Sequence, residues 1–180
     1  MQRRKAFGRR IRLAVAAAGS VAMVGSTGYL YAQAGQDYLP QATLAEVMDS
    51  MAMPLAQTLW DAVVYEDPIK GPETDEGWQK VRAAAVSLAE TANILMIPDR
   101  PVAAPGATAG EGELSPQEIQ ALIAKNHGAW IGYARALHEV AMQAIQAVDT
   151  KDAEELSDVG GTLDSVCQGC HQQFWYPNQR

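Results

Sequence analysis

The sequence predicts an all-α protein, an antiparallel four-helix bundle, on three observations. Four separate stretches of roughly twenty residues carry apolar side chains at intervals of three and four. Almost nowhere does the chain show the two-residue alternation of a half-buried strand. Pro- and Gly-bearing segments separate the four stretches. None of the four can hide its apolar stripe alone, so the stripes must meet around one core.

The first predicted helix opens with Thr43 followed three residues later by Glu46, a capping box. Its stripe is Leu44, Val47, Met48, Met51, Leu55, Leu59 and Val63, and Pro54 must kink it or force a local adjustment. The second spans residues 74–97, with Trp78, Val81, Ala85, Leu88, Ala92 and Leu95 on one face. Residues 98–116 follow without periodicity, rich in Pro, Gly and Ala, and read as a long, mobile connection. The third helix starts at an N-cap Ser115, with Pro116 at its first position and Glu118 completing a second capping box. Ile119, Leu122, Ile123, Trp130, Tyr133, Leu137, Val140 and Ile145 extend it to about Val148. The fourth begins near Thr150 or Asp152 and carries Leu156, Val159, Leu163 and Val166 into the only two cysteines, ending by Pro177.

Before these helices lies a different kind of segment. Six basic residues precede an uncharged stretch over residues 13–36, near whose end stands Ala32-Gln33-Ala34, a small-x-small cleavage pattern. This is the layout of a secretory signal peptide, residues 1–34, leaving a domain at 35–180. The alternative is an uncleaved membrane anchor, since about 20 apolar residues suffice to span a bilayer, although Gly19, Ser20, Gly25, Ser26, Thr27 and Gly28 dilute the stretch. Arg9-Arg10 adds a weak hint of twin-arginine export. Either route puts the domain outside the cytoplasm, in a bacterial periplasm. Residues 35–180 hold eight basic against twenty-one acidic residues, a net charge of −13. That balance argues against nucleic acid as a partner and for proteins that present basic or neutral patches.

The two cysteines stand in "SVCQGCHQQF", with His171 directly after Cys170. A Cys167–Cys170 disulfide suits an oxidising compartment but closes a very short loop and leaves the histidine idle. A thioredoxin-like pair needs a βαβ pattern, which the chain lacks. A structural zinc site needs four ligands, and only His127 and His138 remain as further soft donors. C-x-x-C-H is instead the attachment signature of c-type haem. Two thiols one helical turn apart add across the two vinyl groups of one porphyrin, and the adjacent imidazole reaches the iron as proximal ligand. By chance the motif is expected in roughly one chain in a thousand of this length. Cys167 and Cys170 are therefore the predicted covalent anchors and His171 the predicted axial ligand of one haem c.

"LSDVGGTLDSVCQGCHQQFW" resembles the final helix of class II c-type cytochromes, the cytochrome c′ family, over residues 43–176. The resemblance implies that the fourth helix is a C-terminal haem-attachment helix, and it allows a homodimer. The 98–116 connection is longer than is usual for that family. The family divides by what faces the iron opposite the histidine: a methionine in low-spin electron carriers, a non-ligating apolar residue in high-spin members that bind nitric oxide. Here the first helix offers Met48, Met51 and Met53. Met48 and Met51 are predicted to share the apolar face and Met53 to point away, and the resemblance puts Met48 nearest the sixth position. Met ligation raises the reduction potential, whereas methionine in a bundle ordinarily fills core gaps.

His127 and His138 are expected at caps or at the surface rather than on the iron. Trp130 and Tyr133 are candidates for packing against the haem, and "FWYP" for covering its edge, while nothing singles out Lys125 or Arg135 as propionate partners. The expectation is a monohaem electron carrier, not an enzyme, that meets redox partner proteins and touches membrane only if the N-terminal segment persists as an anchor. A five-coordinate gas-binding protein and a haem-free, disulfide-stapled exported bundle are the alternatives.

Overall fold

A computed structural model of the chain describes residues 38–177. The predicted signal segment lies outside the described residues. Within them the protein is all-helical, with no strand beyond one isolated bridge between Val64 and Lys70. The elements are α1 (Leu44–Val47), a π-helical turn (Met48–Ala52), α2 (Met53–Trp60), α3 (Asp75–Leu95), α4 (Pro116–Lys125), α5 (His127–Thr150) and α6 (Ala153–Phe174). None of the described helices is long and apolar enough to cross a membrane.

The first predicted helix exists, but not as a uniform α-helix. Val47, Met48, Ala52 and Met53 all keep right-handed helical dihedrals, so α1, the π turn and α2 run on without a break. Pro54 accounts for the wide turn: it has no N–H, and its ring clashes with the carbonyl four residues back. One π turn relieves that clash by lodging an extra residue, and Met53 N–H bonds to the Met48 carbonyl instead. The capping box is formed, with Thr43 Oγ1 accepting from Glu46 N–H at 3.2 Å and Glu46 Oε2 accepting from Thr43 N–H at 2.7 Å. The Thr43 hydroxyl also donates to Glu46 Oε2, at 2.8 Å, and the two bonds that this carboxylate accepts from Thr43 hold it below its ordinary range. Thr43→Ala is expected to lower stability by about 1 kcal/mol, the usual worth of an N-cap. Urea unfolding midpoints of the two proteins measure it, and an unchanged midpoint would show that the cap carries no net stability.

The 98–116 connection is docked at both ends rather than loose throughout. Leu44 N–H donates to Pro101 O at 2.9 Å and Ala45 N–H to Val102 O at 3.0 Å, which satisfies two of the donors that every helix N-terminus leaves open. Arg100, only 5% exposed, donates to Ala42 O at 2.6 Å and to Ile94 O at 3.4 Å. Among the described residues no carboxylate pairs with this buried guanidinium; it donates instead to carbonyls, one of them, Ile94 O, at the negative end of α3, where a cation is favoured. At its far end Leu114 N–H donates to Trp175 O at 2.9 Å. Residues 104–113 between these anchors are exposed.

The third predicted helix is two. It breaks at Asn126, whose φ of −118° and ψ of 37° leave the helical region. Asn126 N–H closes the last turn of α4 on the Leu122 carbonyl at 2.9 Å, and its Nδ2 donates to the same oxygen at 3.2 Å, a local side-chain bond of the kind that favours leaving the helix. The predicted caps hold on both sides, with Ser115 and Glu118 forming their box and Asp152 accepting from Glu155 N–H at 2.9 Å.

The core lies where α5 packs along both α3 and α6, with α2 laid against α3 and α6. The α3–α5 seam is built of small residues: Ala84, Ala85, Ala89 and Ala92 on one side, Ala134, Ala141, Ala144 and Ala147 on the other, all buried. Alanines let two helix axes approach closely and cost little side-chain entropy. Larger residues fill the rest, among them Leu59, Leu88, Leu156, Leu163 and Phe174, each at most 1% exposed and each worth about 2 kcal/mol in removed apolar surface. Trp60 and Trp130 close their indole N–H groups on backbone carbonyls of neighbouring helices, Gly160 and Leu95, both at 3.0 Å. The exposed pairs Arg82–Asp149 and Lys151–Asp75 tie α3 to the end of α5 and add little.

Candidate functional site

The space left by this packing is an apolar cavity of about 390 Å³. Cys167, Cys170 and His171 line it from α6, with Leu163 and Val166 a turn or so earlier. Met48, Asp49, Ala52, Met53, Ala56 and Trp60 line it from the first helix, whose alanines keep that wall thin. Trp130, Tyr133, Ala134 and Leu137 contribute from α5, Leu88 and Leu95 from α3, and Trp175 and Tyr176 from the segment after α6. The motif residues converge here because the four-residue spacing from Leu163 to Cys167 and the three-residue step to Cys170 keep them on the inward stripe of α6.

The motif's second variable residue, Gly169, has a packing reason. A Cβ there would stand 3.1 Å from Tyr133 Cε1, so glycine lets the α5 ring lie directly on the motif. Behind it Phe174 is fully buried, with its ring edge-on to both Trp130 and Tyr133 at centroid distances of 5.5 and 6.4 Å. His171 is flanked by two more aromatics, Trp175 at 6.2 Å and Tyr176 at 5.8 Å, both edge-on. Of "FWYP", then, Trp175 and Tyr176 line the cavity while Phe174 belongs to the core.

Both cysteines are free thiols, half-buried in this apolar wall. Burial, helped by the Asp164 carboxylate, pushes the Cys167 thiol up to about 11. Burial and the neighbouring Cys167 push Cys170 up to about 12. Both are therefore protonated near neutral pH and are poor thiolate nucleophiles. The same burial that penalises a thiolate does not penalise a neutral thioether. Burial also lowers His171, against a smaller opposing pull from Glu113, so its imidazole is neutral and keeps a lone pair for a metal.

Among the described residues no three His, Cys, Asp or Glu side chains gather as a metal cage. Cys167, Cys170 and His171 share one wall without converging on one point. A planar cofactor held at three separate atoms needs that arrangement, and a bare ion would not. The apolar walls and the donor set fit a haem.

Three expectations need correction or sharpening. Met53, expected to point away, is 53% exposed yet also lines the cavity, whereas Met51 packs with Met48 against the core, as expected, but does not line the cavity. The π turn bears on both, because its extra residue shifts the face presented by everything after Met48. His127 is exposed at the start of α5, and neither it nor His138 lines the cavity. Lys125 and Arg135 are also absent from its lining, which among the described residues holds no lysine or arginine. The cavity's two carboxylates, Asp49 and Glu113, carried no signal in the sequence; Glu113 in particular lies in an aperiodic loop.

Comparison with known proteins is silent. No family model matches the chain, and neither a curated protein nor a solved structure does.

Proposed function

We propose that this protein is a monohaem c-type cytochrome of the class II kind, exported to the bacterial periplasm, that carries single electrons between redox partner proteins. The observation that carries this reading is the cavity itself, walled by Cys167, Cys170 and His171 on α6 and by Met48 on the first helix. In this reading α1 to α2, α3, α5 and α6 are the four members of an antiparallel bundle, with α6 as the haem-attachment helix and α4 as an addition before α5. Bound there, the haem supplies a one-electron couple and no substrate chemistry.

The chain's own residues do the rest. Cys167 and Cys170 become thioethers, and a neutral His171 donates its lone pair as proximal ligand. Trp175 and Tyr176 hold the imidazole ring from either edge. Met48 is the sixth ligand, favoured over Met51 by its place in the cavity lining. The apolar walls exclude water and so reduce the reorganisation that an electron transfer demands.

A pyridine-haemochrome spectrum of the exported protein tests the cofactor, and absence of a c-type haem would end the proposal. With haem present, a far-red sulfur-to-iron band in the oxidised protein is expected. Met48→Ala should abolish that band and turn low-spin iron high-spin. If it persists in the variant, Met53 becomes the ligand. A native protein that is already high-spin and takes up nitric oxide or carbon monoxide would make the gas-binding reading the correct one.

A further inference from the structure

We infer that Glu113 is an electrostatic positioning residue on the proximal side, placed there by the 98–116 connection, and that its negative charge lowers the reduction potential of the haem bound at His171. The inference rests on the haem reading above. Three features of the fold carry it. The Leu114 N–H to Trp175 O bond, 2.9 Å, pins the end of the connection to the segment that follows α6. One residue earlier, Glu113 lines the same cavity as His171 and Tyr176. Its carboxylate is steadied from its own turn, where Oε2 accepts from Gly110 N–H at 3.0 Å.

The charge inventory around the cavity gives this placement its effect. Among the described residues the lining holds two carboxylates, Asp49 and Glu113, and no cationic side chain to offset them. Asp49 stands on the first helix, and Asp164 on α6 does not line the cavity, so Glu113 is the lining carboxylate outside the Met48 wall. Oxidised haem iron carries one more positive charge than reduced iron, so a fixed anion beside its ligand favours the oxidised form. When one electron passes from a reduced partner protein to the ferric haem, the partner is oxidised and Glu113 makes acceptance less favourable; no proton or bond is exchanged. Glu113 is exposed on its solvent side, so screening keeps the effect moderate.

The test is a spectroelectrochemical titration of the haem-loaded protein and of Glu113→Gln, which removes the charge but keeps an oxygen for Gly110 N–H. The expected result is a higher potential, with the reduction equilibrium displaced by between about threefold and tenfold, tenfold being about 59 mV for a one-electron couple. Glu113→Asp, which keeps the charge, should stay near the parent. Glu111→Gln is the control, because it removes the same charge from the same loop at a residue that does not line the cavity. An unchanged potential in haem-loaded Glu113→Gln overturns the inference, as does an equal shift in Glu111→Gln. Parent protein without haem would overturn the cytochrome reading and this inference together, an outcome visible before any titration.

Discussion

Exported protein with serine at both Cys167 and Cys170 is expected to lose all covalent haem. The readout is haem stain on a denaturing gel, with intact mass as the companion measurement. The parent chain should be heavier by one haem, whereas a disulfide would lighten it only by the two thiol hydrogens. The double variant should run unstained at the mass of the bare polypeptide. Persistent stain would mean that attachment does not use these thiols. A parent mass short by two hydrogens and carrying no haem would establish the disulfide-stapled bundle instead. The effect is all-or-none because the chain contains no other cysteine, so no thiol remains to rescue either bond.

The largest loss of stability is expected at Phe174. Its side chain is fully buried and meets the rings of Trp130 and Tyr133, joining the end of α6 to α5 immediately behind the motif. Phe174→Ala removes that apolar surface and leaves a cavity, and such changes typically cost about 3–5 kcal/mol. Domains of this size are commonly stable by about 5–15 kcal/mol, so the variant should be marginal. Chemical denaturation measures the difference. A cost below about 1 kcal/mol would show that Tyr133 and Trp130 collapse into the space. Phe174→Leu, which restores most of the volume, should recover much of the loss.

How much of this was legible in the sequence depended on the range of the physics involved. The two capping boxes, the Asp152 cap and the Cys167–Cys170–His171 spacing are all local patterns, and each reads directly from neighbouring residues. The break at Asn126 is also local, yet an asparagine within an otherwise periodic run gives only a weak signal. Pro54 announced an adjustment without saying which kind, and a kink and a π turn send Met51 and Met53 to different faces. The alanine seam between α3 and α5 was partly hidden, because alanine is equally at home on a surface and in a close helix contact. Glu113 could not be found at all from the sequence. Its role depends on a backbone bond between Leu114 and Trp175, sixty-one positions apart, and nothing in either residue type announces it.

The docking of residues 98–116 also bears on how the molecule opens. The amides of Leu44 and Ala45 are closed by Pro101 and Val102, and the other end of the same connection is closed on Trp175. Thus the N-terminus of the Met48 helix and the exit of the His171 helix are both tied to a single strap. Local opening in proteins proceeds in contiguous cooperative units, and these bonds join the wall that carries Met48 to the one that carries His171 through one segment. A force that lifts this exposed strap would therefore loosen both walls of the cavity together.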